Sequence, residues 1–230
     1  MKKYQVVVMK SLRHFLFAIL GLGIFMGCTK EVEPSYIGKY VDLGLSVKWA
    51  QVNLGATSRE DFGDYFAWGE TAPKEHYSEI NYEWFDENLM LTKYCSDVIY
   101  GRVDDKDVLD PEDDAATVIL GEGWRMPTNI EFQELLDNCI WTWSTLNGVR
   151  GYKVTSNVPG FTDKYIFLPA GGSYIYDEPP LTNYQCVYWT SKNFIRPCFE
   201  SHCLNVKISN RVVSEELRWH GLNIRPVYEK

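Results

Sequence analysis

The sequence predicts an α+β domain, rich in short, mainly antiparallel strands and carrying two short flanking helices. Three observations carry that expectation. Segments with β-formers at period two recur between turn residues. One helix start is marked by a capping sequence, and a second by consecutive carboxylates before a short apolar stretch. The 230 residues are 45% hydrophobic and 23% charged, which is ample for a packed core and excludes a disordered chain.

The elements follow in order. Tyr40 to Ala50 carries β-formers broken at Gly44 and reads as a hairpin. A short helix is expected to begin at Asp113 or Asp114 and run through Ala115 to Ile119, because a carboxylate satisfies the free N–H groups and opposes the dipole there. Thr128-Asn129-Ile130-Glu131 is a capping box. Phe132, Leu135, Leu136 and Cys139 then form one apolar stripe, so Cys139 reads as a buried small hydrophobe. Lys164 to Leu168 and Leu204 to Ile208 read as strands, with a turn at Asn210 and another strand from Arg211. The stretch Leu222 to Tyr228 alternates apolar and polar residues, and Pro226 favours an edge position or a strand end.

The first 27 residues hold Lys2, Lys3, Lys10 and Arg13, no acid, and an apolar run from Phe15 to Met26. This pattern reads as a signal peptide. Gly27-Cys28 after that run resembles the lipobox of bacterial lipoproteins, in which the Cys28 thiol is acylated and becomes the mature N-terminus; the alternative is an uncleaved anchor with an incidental cysteine. Residues 28–35 then form a polar tether with Glu31 and Glu33, similar to an acidic export signal of surface lipoproteins in Bacteroidetes. The expected location is the outer membrane, lipid-anchored, on the cell surface, with its periplasmic face as the alternative. Residues 36–230 are expected to be a single domain.

The formal charge is −8, and removal of the first 27 residues would bring it to −12. A nucleic-acid partner is therefore not expected, since phosphate binding needs a positive surface. Without Cys28, five cysteines remain: Cys95, Cys139, Cys186, Cys198 and Cys203. An odd number leaves at least one outside any intrachain pairing. Cys198 and Cys203 could be bridged across a hairpin loop if the strands bring their Cα atoms within reach. His202 lies between them, but without a distant fourth ligand a zinc site is not expected.

The order of motifs resembles the Fibrobacter succinogenes major paralogous domain family. The matching segments are Val41 to Ala56, Gly63 to Thr71, Pro111 to Ala116, Gly123 to Thr128, Phe167 to Gly172, Tyr188 to Ser191 and Gly221 to Val227. The resemblance spans nearly all of the chain after residue 35 and implies a C-type-lectin-like fold, shared with formylglycine-generating enzymes. In that fold a short N-terminal strand pairs with the C-terminal strand. It also implies display on a cell surface and binding through a loop-rich face.

Seven of the eleven residues from Asp104 to Asp114 are acidic, which could serve Ca²⁺, yet the spacing does not fit an EF-hand loop. The simpler reading is a solvated loop ending in a helix cap, so neither metal nor cofactor is expected. Glu178-Pro179-Pro180 has Pro, with no side-chain oxygen, in place of the amide residue of calcium-dependent sugar-binding loops, and Trp189-Thr190-Ser191 lacks their Asn and Asp. Gly171-Gly172-Ser173-Tyr174 lacks the Arg and Trp of the formylglycine-generating motif, and no His belongs to a recognisable catalytic order. The expected role is a non-enzymatic recognition or adhesion module for glycan or protein ligands. An enzyme of the formylglycine-generating type and a subunit of a fimbria-like assembly are the alternatives. The residues expected to contact ligand are Tyr176, Tyr184, Arg218 and Trp219, with Trp189 packed beneath them.

Overall fold

The computed structural model describes residues 36, 38–176, 178–194 and 198–229. Cys28, the leader and the tether lie outside the described residues. In chain order the elements are β1 (Tyr40–Val41), β2 (Lys48–Ala50), β3 (Leu91–Cys95), β4 (Gly101–Val103), α1 (Ala115–Leu120), β5 (Trp124–Arg125) and α2 (Asn129–Asn138). They are followed by β6 (Cys139–Leu146), β7 (Val149–Ser156), β8 (Tyr165–Pro169), β9 (Gln185–Asn193), β10 (Glu200–Lys207), β11 (Asn210–Leu217) and β12 (Val227–Tyr228). This is an α+β chain in which strands predominate. Among the described residues no helix is long and apolar enough to cross a membrane.

The first sheet has the order β1-β2-β12-β5 and joins the two ends of the domain. Its hairpin turns at Gly44, whose φ of 76° suits glycine and whose N–H donates to the Asp42 carboxylate at 2.9 Å. In β12, Val227 pairs with Trp49 on one side and Arg125 on the other. The second strand of the N-terminal hairpin thus pairs with the C-terminal strand. Pro226 stands just before β12, outside its ladder, while its carbonyl accepts the Ala50 N–H at 2.9 Å. The strand is central because it is only two residues long and the proline precedes it, which corrects the edge position but fits a strand end.

Helix α2 begins at the predicted cap. Thr128 Oγ1 accepts the Glu131 N–H at 3.2 Å, and Glu131 Oε2 accepts the Thr128 N–H at 2.7 Å. Arg125 then holds the same carboxylate with two N–H groups, at 2.9 and 2.5 Å. Burial raises the pKa of Glu131, but the Arg125 and Thr128 bonds outweigh it and hold the carboxyl below its usual range. Stability from this group is therefore complete above the unfolded glutamate pKa of about 4.3 and is lost as pH falls through the lower folded value. Urea unfolding followed from pH 7 to pH 3 should show that acid limb, and Glu131→Gln should flatten it.

The helix stripe lands on the core: Phe132 and Leu135 are buried, and Leu136 and Cys139 pack against the same cluster half-buried. The helix nevertheless stops at Asn138, so Cys139 opens β6 rather than extending the helix. Asp114 caps α1 by accepting the Thr117 N–H at 3.0 Å and also accepts the Met126 N–H at 2.8 Å, which ties α1 to β5.

Strand β9 separates two parts of the core. Cys186 and Tyr188 face one cluster, built with Trp49, Phe132, Val154 and Leu168. Val187 and Trp189 face the other, with Phe66, Trp68, Met126 and Leu222. Successive side chains of a strand point to opposite faces, so a strand covered on both reads as an unbroken apolar run, as Cys186 to Trp189 does. Arg225, fully buried, donates to Asn53 Oδ1, the Ala50 carbonyl and the Phe167 carbonyl at 2.8, 3.0 and 2.8 Å. The Arg-Pro-Val ending is thus a structural clamp between three segments.

Candidate functional site: an aromatic ribbon on the loop-rich face

The connection from β8 to β9 is held at its base and exposed at its tip. At the base, Gly172 N–H donates to the Gln185 carbonyl at 3.0 Å and Asn183 N–H to the Ala170 carbonyl at 2.7 Å. Further out, Tyr174 and Gly221 exchange both backbone bonds, at 2.8 and 3.0 Å. Glycine is required at 221 because a Cβ there would lie 2.8 Å from the Tyr77 ring. This close approach lets the loop meet the segments around Tyr77 and His220.

Buried and half-buried rings then pack against one another beneath this face. Tyr174 packs edge-on to Tyr65 at 4.8 Å and tilted on Tyr77 at 5.4 Å. Tyr176 meets His220 at 6.2 Å, and His220 meets Trp219 at 6.2 Å. Trp219 contacts Phe85 at 5.6 Å and Phe199 at 6.3 Å, and Phe199 reaches Tyr100 at 5.0 Å. Segments far apart in sequence therefore build two ring groups, Tyr65 and Tyr77 about Tyr174, and a ribbon running from Tyr176 through His220, Trp219 and Phe199 to Tyr100.

Tyr176 is the exposed end of that ribbon, with 47% of its surface accessible and φ at 55°. A left-handed backbone is uncommon for a tyrosine and costs on the order of 1–2 kcal/mol, so the fold holds this ring outward at a local expense. Beside it, Trp219 Nε1 and His220 Nε2 are buried ring nitrogens with no hydrogen-bond partner among the described residues. The other His220 nitrogen, Nδ1, lies 3.0 Å from Glu216 Oε1. Burial pushes the Glu216 pKa up, but the His220 bond and charge hold it below the usual range.

The expected contact residues divide into three groups. Tyr176 and Tyr184 are exposed, although no ring contact joins Tyr184 to the ribbon. Trp219 is half-buried against Phe85 and Phe199 and forms the floor rather than the tip. Arg218 corrects the surface assignment, because it is fully buried. Its guanidinium donates to the Tyr94 carbonyl at 3.0 Å, the Glu200 carbonyl at 3.2 Å and Asn193 Oδ1, and lies 4.8 Å from the Trp68 ring. Trp189 is buried, as expected.

The cysteine reading is also corrected. Cys198 and Cys203 are not bridged, because Glu200–Lys207 is a continuous strand that carries Cys203 away into the Trp189 cluster. There its sulfur lies 3.5 Å from Ser214 Oγ, and burial pushes its pKa up to about 12. In the acidic stretch the carboxylates have internal uses. Asp104 accepts the Tyr94 and Cys95 N–H groups at 2.8 and 3.0 Å, Asp110 meets Lys93 and Lys106, and Asp113 meets Lys93 and the Tyr94 hydroxyl. Residues missed from the sequence are Tyr100, Phe199 and His220, whose common surface depends on pairings distant along the chain. An apolar cleft of about 120 Å³ lined by Leu54, Ile119, Leu120 and Trp124 shares no residue with the ribbon.

No family model, no curated protein and no solved structure matches this chain.

Proposed function

We propose that this protein is a non-enzymatic recognition module, held on the outer membrane by a lipid on Cys28 and built on a C-type-lectin-like architecture. The observation that carries the reading is Tyr176: an exposed ring, fixed outward by a left-handed backbone at the end of an aromatic ribbon. Rigid aromatic rings supply contact area at small entropic cost, and their faces suit both sugar rings and peptide side chains. Pairing of the terminal strands in one sheet and two short helices support the architecture. Absence of the Arg-Gly-Gly-Ser-Trp run supports a binding role over the related enzyme chemistry. Gly27-Cys28 after a basic, apolar leader supports the anchor.

The ring can be removed without disturbing the backbone. Asparagine tolerates the left-handed region, so Tyr176→Asn is expected to leave the fold intact and its stability unchanged or slightly higher. Glycan-array screening and pull-down with the full chain would identify a ligand. The same variant should weaken its binding by about 2 kcal/mol or more, roughly 30-fold in Kd. Unchanged affinity of Tyr176→Asn for a confirmed ligand would remove Tyr176 from the binding face.

A further inference from the structure

Two cysteines distant in sequence meet in the cluster beneath the ribbon. Cys95 ends β3, and Cys198 lies in the turn that leads into β10, with 102 residues between them. Both are fully buried in the cluster that holds Tyr77, Tyr82 and Leu91. Their thiols are in hydrogen-bond contact with each other. Ser96 Oγ stands 3.4 Å from the Cys198 sulfur, and the Cys95 sulfur reaches the Asp97 carbonyl at 3.1 Å. The backbone that delivers Cys95 is held firmly, since Asp104 accepts both the Tyr94 and Cys95 N–H groups. Cys186 and Cys203 have different neighbours, the Leu168 carbonyl at 3.4 Å and Ser214 Oγ at 3.5 Å.

We propose that Cys95 and Cys198 are a disulfide-forming pair that fastens the β3 segment to the entry of β10. The oxidant is an exchangeable disulfide, either oxidised glutathione or a thiol oxidase of the exported compartment. The Cys198 thiolate attacks one sulfur of that disulfide, forming a mixed disulfide and releasing the first thiol. Cys95 loses its proton and attacks the Cys198 sulfur, forming the intrachain S–S bond and releasing the second. Two protein thiols lose two electrons, and one oxidant disulfide becomes two thiols.

Both sulfurs are buried in the finished fold, so exchange precedes its completion. Hydrogen bonds from Ser96 and Cys95 favour the Cys198 thiolate against the opposing effect of burial, whereas burial raises the pKa of Cys95. The bond would also fix the ribbon's floor, because Phe199 follows Cys198 directly and contacts Trp219, Phe85 and Tyr100. The pairing does not depend on any ligand or on the anchoring of the chain.

The test uses the full chain in detergent, unfolded in urea and refolded with reduced and oxidised glutathione, then alkylated and mapped without reduction by mass spectrometry. A peptide joining Cys95 to Cys198 is expected, and alkylation should fall by two sites. Reduction of the refolded protein should lower Tm by about 5–15 °C, since the bond closes a long loop. In Cys95→Ser with Cys198→Ser, Tm should no longer respond to reductant. Recovery of both cysteines fully alkylated, or of Cys198 joined to Cys203, would overturn the proposal. So would a Tm that responds to reductant equally in the double variant.

Discussion

Replacing Arg218 by alanine is expected to destabilise the domain by about 3 kcal/mol or more, because the Glu200 carbonyl and Asn193 Oδ1 lose a donor together, while the Tyr94 carbonyl keeps the Asn193 Nδ2 bond at 3.1 Å. The Tyr94 carbonyl, the Glu200 carbonyl and Asn193 Oδ1 converge on a single guanidinium. Those groups belong to β3, β9 and the start of β10, so the side chain adds a shared clamp to segments already joined by the β9–β10 ladder and by the Asn193 Nδ2 bond to the Tyr94 carbonyl at 3.1 Å. Burial lowers the pKa of Arg218, yet the group stays charged because an arginine begins so high. Lysine keeps the charge but offers a compact ammonium in place of a planar fork, so Arg218→Lys should recover only part of the loss. Urea unfolding of the three proteins measures this directly. An exposed ligand contact would instead shift stability by about half a kcal/mol or less, so the same experiment separates a buried clamp from a surface contact.

Arg218 also shows where a single sequence stops being legible. A charged residue beside Trp219 reads as surface because arginine is almost never buried without partners. Here the partners are mostly backbone carbonyls, whose positions depend on the tertiary fold and leave no residue type to recognise. Arg225 was legible as part of a motif but not as a clamp, for the same reason. Local signals were read more fully. Thr128 and Glu131 announce α2 because the cap is made within four residues, and Asp114 announces α1 likewise. The β6–β7 hairpin turns at Asn147-Gly148, both residues having positive φ, 47° and 88°, as a tight two-residue turn requires. The helical stripe ending at Cys139 concealed it, since an apolar residue at helical spacing is equally the first residue of the next strand.

The aromatic ribbon belongs to the illegible class in its assembly, though not in its parts. Tyr176 reads as a surface candidate from the polar and aromatic residues of its segment, and Trp219 from its place just before the closing strand. Their connection through His220, and onward to Phe199 and Tyr100, depends on Gly221 allowing the β8–β9 loop to approach Tyr77. The same assembly places Cys198 in the cluster with Cys95 and Cys203 in the cluster with Trp189, because Glu200 to Lys207 is strand where a hairpin turn would have been needed. Spacing along the chain gives proximity only inside an element of known geometry.

Trp189→Ala is expected to cost about 3–5 kcal/mol, a drop in Tm of roughly 6–20 °C for a domain of this size. The ring is wholly buried in the cluster with Trp68, Phe66, Met126 and Leu222, and β9 is covered on both faces, so collapse around the vacated volume is restricted. Trp189 Nε1 also donates to the Phe66 carbonyl at 2.7 Å, but that oxygen keeps a second donor, the Leu222 N–H at 3.0 Å. Loss of the indole therefore acts through packing more than through an orphaned acceptor. Trp189→Phe, which retains a ring, should cost much less than alanine. Thermal unfolding of both variants checks the order. If alanine at 189 left Tm unchanged while weakening ligand binding, the ring would belong to the recognition face, and the division between the buried Trp189 and the exposed Tyr176 would fail.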